Sequence, residues 1–315
     1  MQLIKEKKMR KMLYILLILI MVFSIVTFIM YRIDMNSAYE RLNSYDVKTL
    51  NTEFGEMSYV DDGQGETVLI SHGIFGGYDQ GYISLNKLVK DDCKKVSISR
   101  FGYPGSALPE NPTPQNQAKV FKELLDELGI EKAYILCTSA GGATGLQFAL
   151  KYPERTKGLI LLSSGVPDKK RDIGELSELG MMGPPEFIVN DFPMWFCLKY
   201  FSPIFNSMLG SSNNDTNLLE TMLPVKERRQ GVIADTEITN IDMTLNYDEY
   251  ALEEISCPIL VIHAKDDPMA SYENIEKLLA RVNATTAIYN TGGHMIEGHD
   301  SYTVIKDFIN KISCR

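Results

Sequence analysis

A serine, a pair of aspartates and a histidine stand in this chain where each could take part in nucleophilic acyl transfer. Ser139 lies in Cys137-Thr138-Ser139-Ala140-Gly141, between the apolar run Ala133-Tyr134-Ile135-Leu136 and a helix-compatible segment, Gly142 to Tyr152, that stops at Pro153. The apolar run reads as a buried strand, so Ser139 sits on a sharp strand-to-helix turn. Such a nucleophile elbow closes only if the residues around it are small, and Cys137, Ala140 and Gly141 are. The amino end of the following helix also presents unpaired N–H groups to developing negative charge. A serine nucleophile needs a base, and the base needs an orienting acid. Of His72, His263, His294 and His299, the preferred base is His294, which Gly292 and Gly293 precede in a tight loop after the apparent strand Thr286 to Tyr289. The acid is expected from Asp266-Asp267-Pro268, where the apolar run Pro258 to Ala264 enters an acidic turn. Asp267 is the preferred carboxylate and Asp266 the alternative, because sequence does not say which one turns inward.

Charge that appears only in the transition state needs preorganised donors. Thr67-Val68-Leu69-Ile70-Ser71 reads as a strand that opens into the glycine-rich turn His72-Gly73-Ile74-Phe75-Gly76-Gly77. The expected oxyanion donors are the backbone N–H of Ala140, the residue after the nucleophile, and that of Ile74, with Phe75 second. His72 is read as a structural residue of this loop. No metal-ligand spacing and no phosphate-cradling or dinucleotide motif occurs, so neither a metal nor a cofactor is expected.

The elements that must position these residues alternate along the chain. Strand-like runs fall at Asn51 to Val60, Thr67 to Ser71, Lys95 to Ser99, Ala133 to Cys137, Gly158 to Ser163, Pro258 to Ala264 and Thr286 to Tyr289. Helix patterns fall at Gln115 to Leu128, Tyr272 to Val282 and Tyr302 to Ile312. Strands separated by helices imply an α/β fold with a mostly parallel sheet and right-handed crossovers. Active sites of such open sheets lie at the carboxyl ends of the strands. The alternation breaks over 166–254, which holds Trp195, Met181, Met182, Met194, Met208, Met222 and the prolines Pro184, Pro185, Pro193 and Pro203. This stretch is expected to form short helices, with Ser211-Ser212-Asn213-Asn214-Asp215 as an exposed loop.

The blocks together resemble the α/β-hydrolase superfamily, of the capped esterase, epoxide-hydrolase and haloperoxidase-like kind. The resemblance rests on Ser71-His72-Gly73-Ile74-Phe75-Gly76-Gly77, on Arg100-Phe101-Gly102-Tyr103-Pro104-Gly105-Ser106, on the elbow, and on the Asp267/His294 pair in the order Ser, Asp, His. It covers roughly Val47 to Ile312, with Cys137 in place of the first elbow glycine and Ala264 in place of the glycine before the acid. It implies an α/β-hydrolase core at 47–165 and 255–315, with 166–254 inserted after strand six as a helical cap over the active site. Serine at the nucleophile position sets the chain apart from the dehalogenases and epoxide hydrolases of this superfamily, which use aspartate there.

Composition adds location and excludes some partners. Met12 to Tyr31 carries no charge and, at roughly 20 residues, is long enough to span a bilayer as a helix. Residues 1–11 form a basic segment with Lys5, Lys7, Lys8, Arg10 and Lys11 against Glu6 alone. The positive-inside rule keeps that segment cytoplasmic and puts the catalytic domain outside, with 32–46 as a linker. Secretion after signal cleavage is the alternative, although a signal core is roughly 7–15 residues long and ends at small residues. The net charge is −9 despite that basic start, so the remainder is more acidic still and is a poor match for nucleic acid. The five cysteines, Cys93, Cys137, Cys197, Cys257 and Cys314, form no disulfide framework. The expectation is a membrane-anchored serine hydrolase acting on an ester-like bond of a small, largely apolar molecule. A thioesterase, peptidase or acyltransferase on the same triad is the alternative, as is a non-catalytic ligand-binding sensor of the same fold.

Overall fold

A computed structural model describes residues 2–179, 183–210 and 219–313. Contacts divide the chain into two units, Met1–Ser44 and Tyr45–Arg315. The first is a single helix, α1 (Gln2–Asn43). No glycine or proline interrupts residues 2 to 43, and either would break the hydrogen-bond ladder. The helix therefore runs on through Arg32 to Asn43, where a linker was expected. Among the described residues it is the one helix long and apolar enough to cross a membrane, and Leu13, Leu16, Ile20 and Phe23 stand exposed along it.

In the second unit, eight strands form one sheet in the order β1-β2-β4-β3-β5-β6-β7-β8. They are β1 (Lys48–Thr52), β2 (Gly55–Asp62), β3 (Glu66–Ser71), β4 (Cys93–Ile98), β5 (Ala133–Thr138), β6 (Thr156–Leu162), β7 (Ile259–Ala264) and β8 (Ala284–Tyr289). β1 pairs with β2, and β2 with β4, antiparallel; every other pairing is parallel. The single strand expected over Asn51 to Val60 is instead a hairpin. Its turn is made by Gly55 at φ +104°, where an added Cβ would lie 2.7 Å from the Ala107 side chain. The mostly parallel α/β sheet expected from the alternation is present.

The buried strands carry apolar residues on both faces, and each face has its own core. Leu69, Ile135, Leu159 and Val261 pack on one side with Phe121 and Leu124 of α3 (Pro114–Glu127), Leu146 and Phe148 of α4 (Gly142–Lys151), and Ile275 and Leu278 of α9 (Tyr272–Leu279). Val68, Ile70, Leu136, Ile160 and Leu260 point the other way, onto Leu85 of α2 (Tyr78–Leu88) and Ile305 and Phe308 of α10 (Ser301–Ser313). The period-two alternation of strand side chains produces this division. Local signals set helix ends as well: the Thr113 side chain caps α3 by accepting from the Asn116 N–H at 3.2 Å, with Pro114 in the first turn.

Between β6 and β7 the described secondary structure is all short helices joined by loops. They include α5 (Asp191–Tyr200), α6 (Ser202–Met208) and α7 (Arg229–Ala234), which passes through a π-helical turn, Asp235–Thr239, into α8 (Asn240–Leu245). Met194 and Trp195 are buried, and the Trp195 ring meets Phe192 and Tyr200 at 5.8 and 6.0 Å. Met181, Met182 and the loop expected at Ser211 to Asp215 lie outside the described residues.

Candidate active site

Ser139 immediately follows β5, at the centre of the sheet. Its backbone is left-handed, at φ +50°, a conformation that costs a residue with a Cβ about 1–3 kcal/mol. The surroundings hold it there. Gly165 N–H donates to the Ser139 carbonyl at 2.9 Å. A Cβ on Gly141 would sit 2.0 Å from the Ser71 carbonyl, so only glycine lets α4 start this close to β3. The side chain of Cys137 occupies the space above Gly145, where a Cβ would come within 1.9 Å of its sulfur. The thiol thus fills the crossing between β5 and α4. Ser139 is half-buried and its Oγ makes no hydrogen bond among the described residues.

The turn after β3 lies against this serine: a Cβ on Gly73 would be 3.0 Å from the Ser139 Cβ. The Gly73 carbonyl is gripped by three donors, His72 Nδ1 at 2.8 Å, the Gly76 N–H at 3.2 Å and Arg100 Nη2 at 3.4 Å. In a planar trans peptide the C=O and the following N–H point in opposite directions. Holding the Gly73 carbonyl therefore turns the Ile74 N–H away from those donors, and that N–H has no acceptor among the described residues. His72 is fully engaged. It donates from Nδ1 to Gly73, and its Nε2 accepts from the Arg100 N–H at 3.0 Å.

The loops after β7 and β8 bring Asp267 and His294 together. His294 Nδ1 lies 2.9 and 3.1 Å from the two carboxylate oxygens of Asp267, whose side chain is fully buried. Asp267 also accepts from the Met269 and Ala270 N–H groups at 2.8 and 3.0 Å. Burial opposes its charge, but the His294 contact and these two N–H groups hold the carboxyl below its ordinary value. A carboxylate only accepts, so His294 Nδ1 carries the proton and Nε2 presents a lone pair. Asp266 faces outward and accepts from the Gly292 and Gly293 N–H groups at 3.3 and 2.9 Å. It braces the histidine loop and does not touch the imidazole. The insert reaches the same loop, where the His294 N–H donates to the Leu209 carbonyl at 2.9 Å.

A family profile described as alpha/beta hydrolase fold matches residues 66–296. The chain belongs to the α/β-hydrolase family. It is an enzyme of the hydrolase class, as its elbow and Ser-Asp-His order led one to expect. An uncharacterized hydrolase, YcgS, of Bacillus subtilis is 23% identical over 272 residues, spanning 79% of this chain and 92% of that one. A 2-hydroxy-6-oxononadienedioate/2-hydroxy-6-oxononatrienedioate hydrolase of Comamonas testosteroni is 36% identical over 110 residues, 33% of this chain and 38% of the relative. Among solved structures, a thermophilic esterase from Thermogutta terrifontis superposes with a TM-score of 0.63 at 19% identity, covering 85% of this chain and 99% of the esterase.

Sequence reasoning missed the charged residues that tie this hydrolase's loops to its insert. Arg100, two residues past β4, forms a bidentate pair with Asp235 at 2.6 Å on both arms, and Tyr103 donates to the same carboxylate at 2.5 Å. Arg228 forms a second pair with Asp79, at 2.6 and 3.1 Å, with both side chains fully buried. Arg100 had a faint signal, a charge inside a glycine-rich block that follows a buried strand. Arg228 had none, because Lys226-Glu227-Arg228-Arg229 reads as a solvated run.

Burial fixes other groups in their neutral forms. Burial of His72, assisted by the nearby positive Arg100, holds its pKa well below that of a free imidazole. Burial likewise lowers His263, whose Nε2 donates to the Ala270 carbonyl at 2.9 Å. Both take up a proton near pH 6.5 when unfolded and resist it when folded, so the unfolded state binds more protons below that pH. Stability should therefore fall as pH drops from 7 towards 5, above the range where lowered carboxyls such as Asp267 begin to act. Melting of the detergent-solubilised chain across that range checks this, and an unchanged midpoint between pH 7 and 5 would refute it. The Cys257 thiol is pushed up to about 12 and the Cys93 thiol to about 11, both by burial, so neither is a nucleophile at neutral pH. No described cysteine is in a disulfide, and Cys314 lies outside the described residues.

Proposed function

We propose that this α/β-hydrolase cleaves an ester-like bond of a small, largely apolar substrate through Ser139, His294 and Asp267. The observation that carries the reading is the buried Asp267 carboxylate on His294 Nδ1, in the loops after β7 and β8 of the sheet whose β5 leads into an elbow serine held at positive φ. His294 Nε2 takes the proton from Ser139 Oγ as the oxygen attacks the acyl carbon. Asp267 holds the tautomer and stabilises the imidazolium that results. The N–H groups of Ala140 and Ile74 receive the oxyanion. The imidazolium then protonates the departing alcohol, and a water activated by the same nitrogen releases the acid and frees Ser139. The Ser139–His294 hydrogen bond forms with substrate in place, as such bonds commonly tighten only in the complex.

The insert at 166–254 acts as a cap whose apolar and methionine side chains shape the acyl site. Labelling by a fluorophosphonate probe, with a series of p-nitrophenyl esters of increasing acyl length, tests the activity and ranks its substrates. No labelling and no hydrolysis across the series would refute it. A second reading, hydrolysis of a carbon–carbon bond beside a ketone, draws on the Comamonas testosteroni relative. Preference for a 2-hydroxy-6-oxo-dienoate over every ester would favour it.

In the same reading, α1 anchors the chain in a bilayer with residues 1–11 in the cytoplasm and the catalytic unit outside. Support comes from the uncharged run Met12 to Tyr31 and its basic flank. The full chain is expected to stay with membranes through alkaline carbonate washing, and protease added to intact cells is expected to digest the catalytic unit. A mature amino terminus just after the apolar run would establish the secreted alternative.

A further inference from the structure

Two buried ion pairs cross between the α/β core and the insert in opposite senses, and both end on the turn after β3. Arg100 comes from the core and its carboxylate, Asp235, from the insert. Arg228 comes from the insert and its carboxylate, Asp79, from the first turn of α2 in the core. Each guanidinium also spends donors on carbonyls of the turn. Arg100 Nε donates to the His72 carbonyl at 2.9 Å and Nη2 to the Gly73 carbonyl at 3.4 Å. Arg228 Nη1 donates to the Gly76 carbonyl at 2.6 Å. The turn is thus held at both ends by cations, and one of them belongs to the insert.

This arrangement exceeds what docking the insert would require. A surface pair would do that at little desolvation cost, whereas burying both partners is expensive unless their remaining donors are used. Here Arg100 spends its remaining donors on the His72 carbonyl and on the Gly73 carbonyl, whose peptide carries the Ile74 N–H, while Arg228 holds the Gly76 carbonyl at the other end of the turn, reaches the Leu223 carbonyl at 3.4 Å and leaves its Nε without a partner among the described residues. Without Asp235 the Arg100 guanidinium would be a buried, unpaired charge and would not stay in this position, and Arg228 could not reach Gly76 unless the insert were seated. The geometry points to the insert as part of the oxyanion machinery: Asp235, through Arg100, and Arg228, through Gly76, are positioning residues for the turn that carries the Ile74 N–H. A hydrolase built this way stabilises its transition state only while the insert is in place.

The inference rests on the assignment of Ser139 and Ile74 above, and the test separates the two. It uses the full chain in detergent micelles, p-nitrophenyl butyrate as substrate, and an alkyl trifluoromethyl ketone, which adds reversibly to a catalytic serine and places its oxyanion among the same donors. The variants are Asp235→Asn, Arg228→Lys, and the double change Arg228→Met with Asp79→Leu, which replaces a buried pair by apolar groups and so leaves no stranded charge. Each is expected to lower kcat by about tenfold to a hundredfold, the scale of a misplaced or lost oxyanion donor. KM should change little, and the inhibition constant of the ketone should rise in step with the loss of kcat/KM. A residue that merely supports folding would reduce the active fraction and leave the inhibition constant alone.

A double variant that melts cooperatively and keeps wild-type kcat and ketone affinity would overturn the inference. So would a fall in kcat with unchanged ketone affinity. If the double variant fails to fold, Arg228→Lys decides by the same criteria, because it keeps a cation beside Asp79. Hydrolysis surviving in Ser139→Ala would overturn the underlying assignment instead.

Discussion

Ser139→Ala is expected to abolish ester hydrolysis and fluorophosphonate labelling while leaving the fold intact. The loss in kcat should be on the order of 10⁶-fold, because in the proposed triad Ser139 supplies the nucleophile and members of a triad act as a unit. The fold should survive, since the Ser139 hydroxyl is half-buried and bonds to no described residue. Alanine also meets the same strain at φ +50° that serine already bears. The comparison is kcat for wild type and variant on one ester, with a melting curve for each. A variant that retained near-full activity would move the nucleophile elsewhere.

Asp267→Asn is expected to cost about 10⁴-fold in kcat, as loss of the orienting carboxylate leaves the imidazole in the wrong tautomer. The buried carboxylate of Asp267 accepts from His294 Nδ1 at 2.9 Å. An amide there can offer an N–H to Nδ1, which would force the proton onto Nε2 and remove the base. Asp266→Asn should cost far less. Its oxygens accept from the Gly292 and Gly293 N–H groups at the solvent edge, and an asparagine carbonyl can still accept one of them. Steady-state kinetics of the two variants side by side checks the ranking. The reverse order would give the orienting role to Asp266.

Much of the scaffold was legible because its signals are local. The apolar runs at Val68 to Ser71, Ala133 to Cys137 and Ile259 to Ala264 are strands, since buried parallel strands need continuous apolar sequence. The differences also have local causes. The hairpin of β1 and β2 hides in a continuous strand-like pattern because a single glycine, Gly55 at φ +104°, makes its turn. α2 has no clear sequence signal, because Tyr78 to Leu88 mixes polar and apolar residues and buries Asp79 and Gln80. α1 extends beyond the apolar run because helix continuation needs only the absence of breakers, whatever the polarity.

By itself, the sequence determined the strand-helix alternation, the elbow around Ser139, and the order in which a serine, an acid and a histidine follow one another. Each depends on residues within a few positions: small side chains at Ala140 and Gly141, glycines before His294, a carboxylate just past a buried strand. Tertiary structure alone decided which carboxylate meets the histidine, because Asp266 and Asp267 have the same chemistry and differ only in how the turn after β7 aims them. It alone also decided that Arg100 meets Asp235, 135 residues away, and that Arg228 meets Asp79 across 149. Charged side chains show no periodicity that foretells burial. Their pairing is specified by desolvation, which exists only once the insert and the core have closed around them.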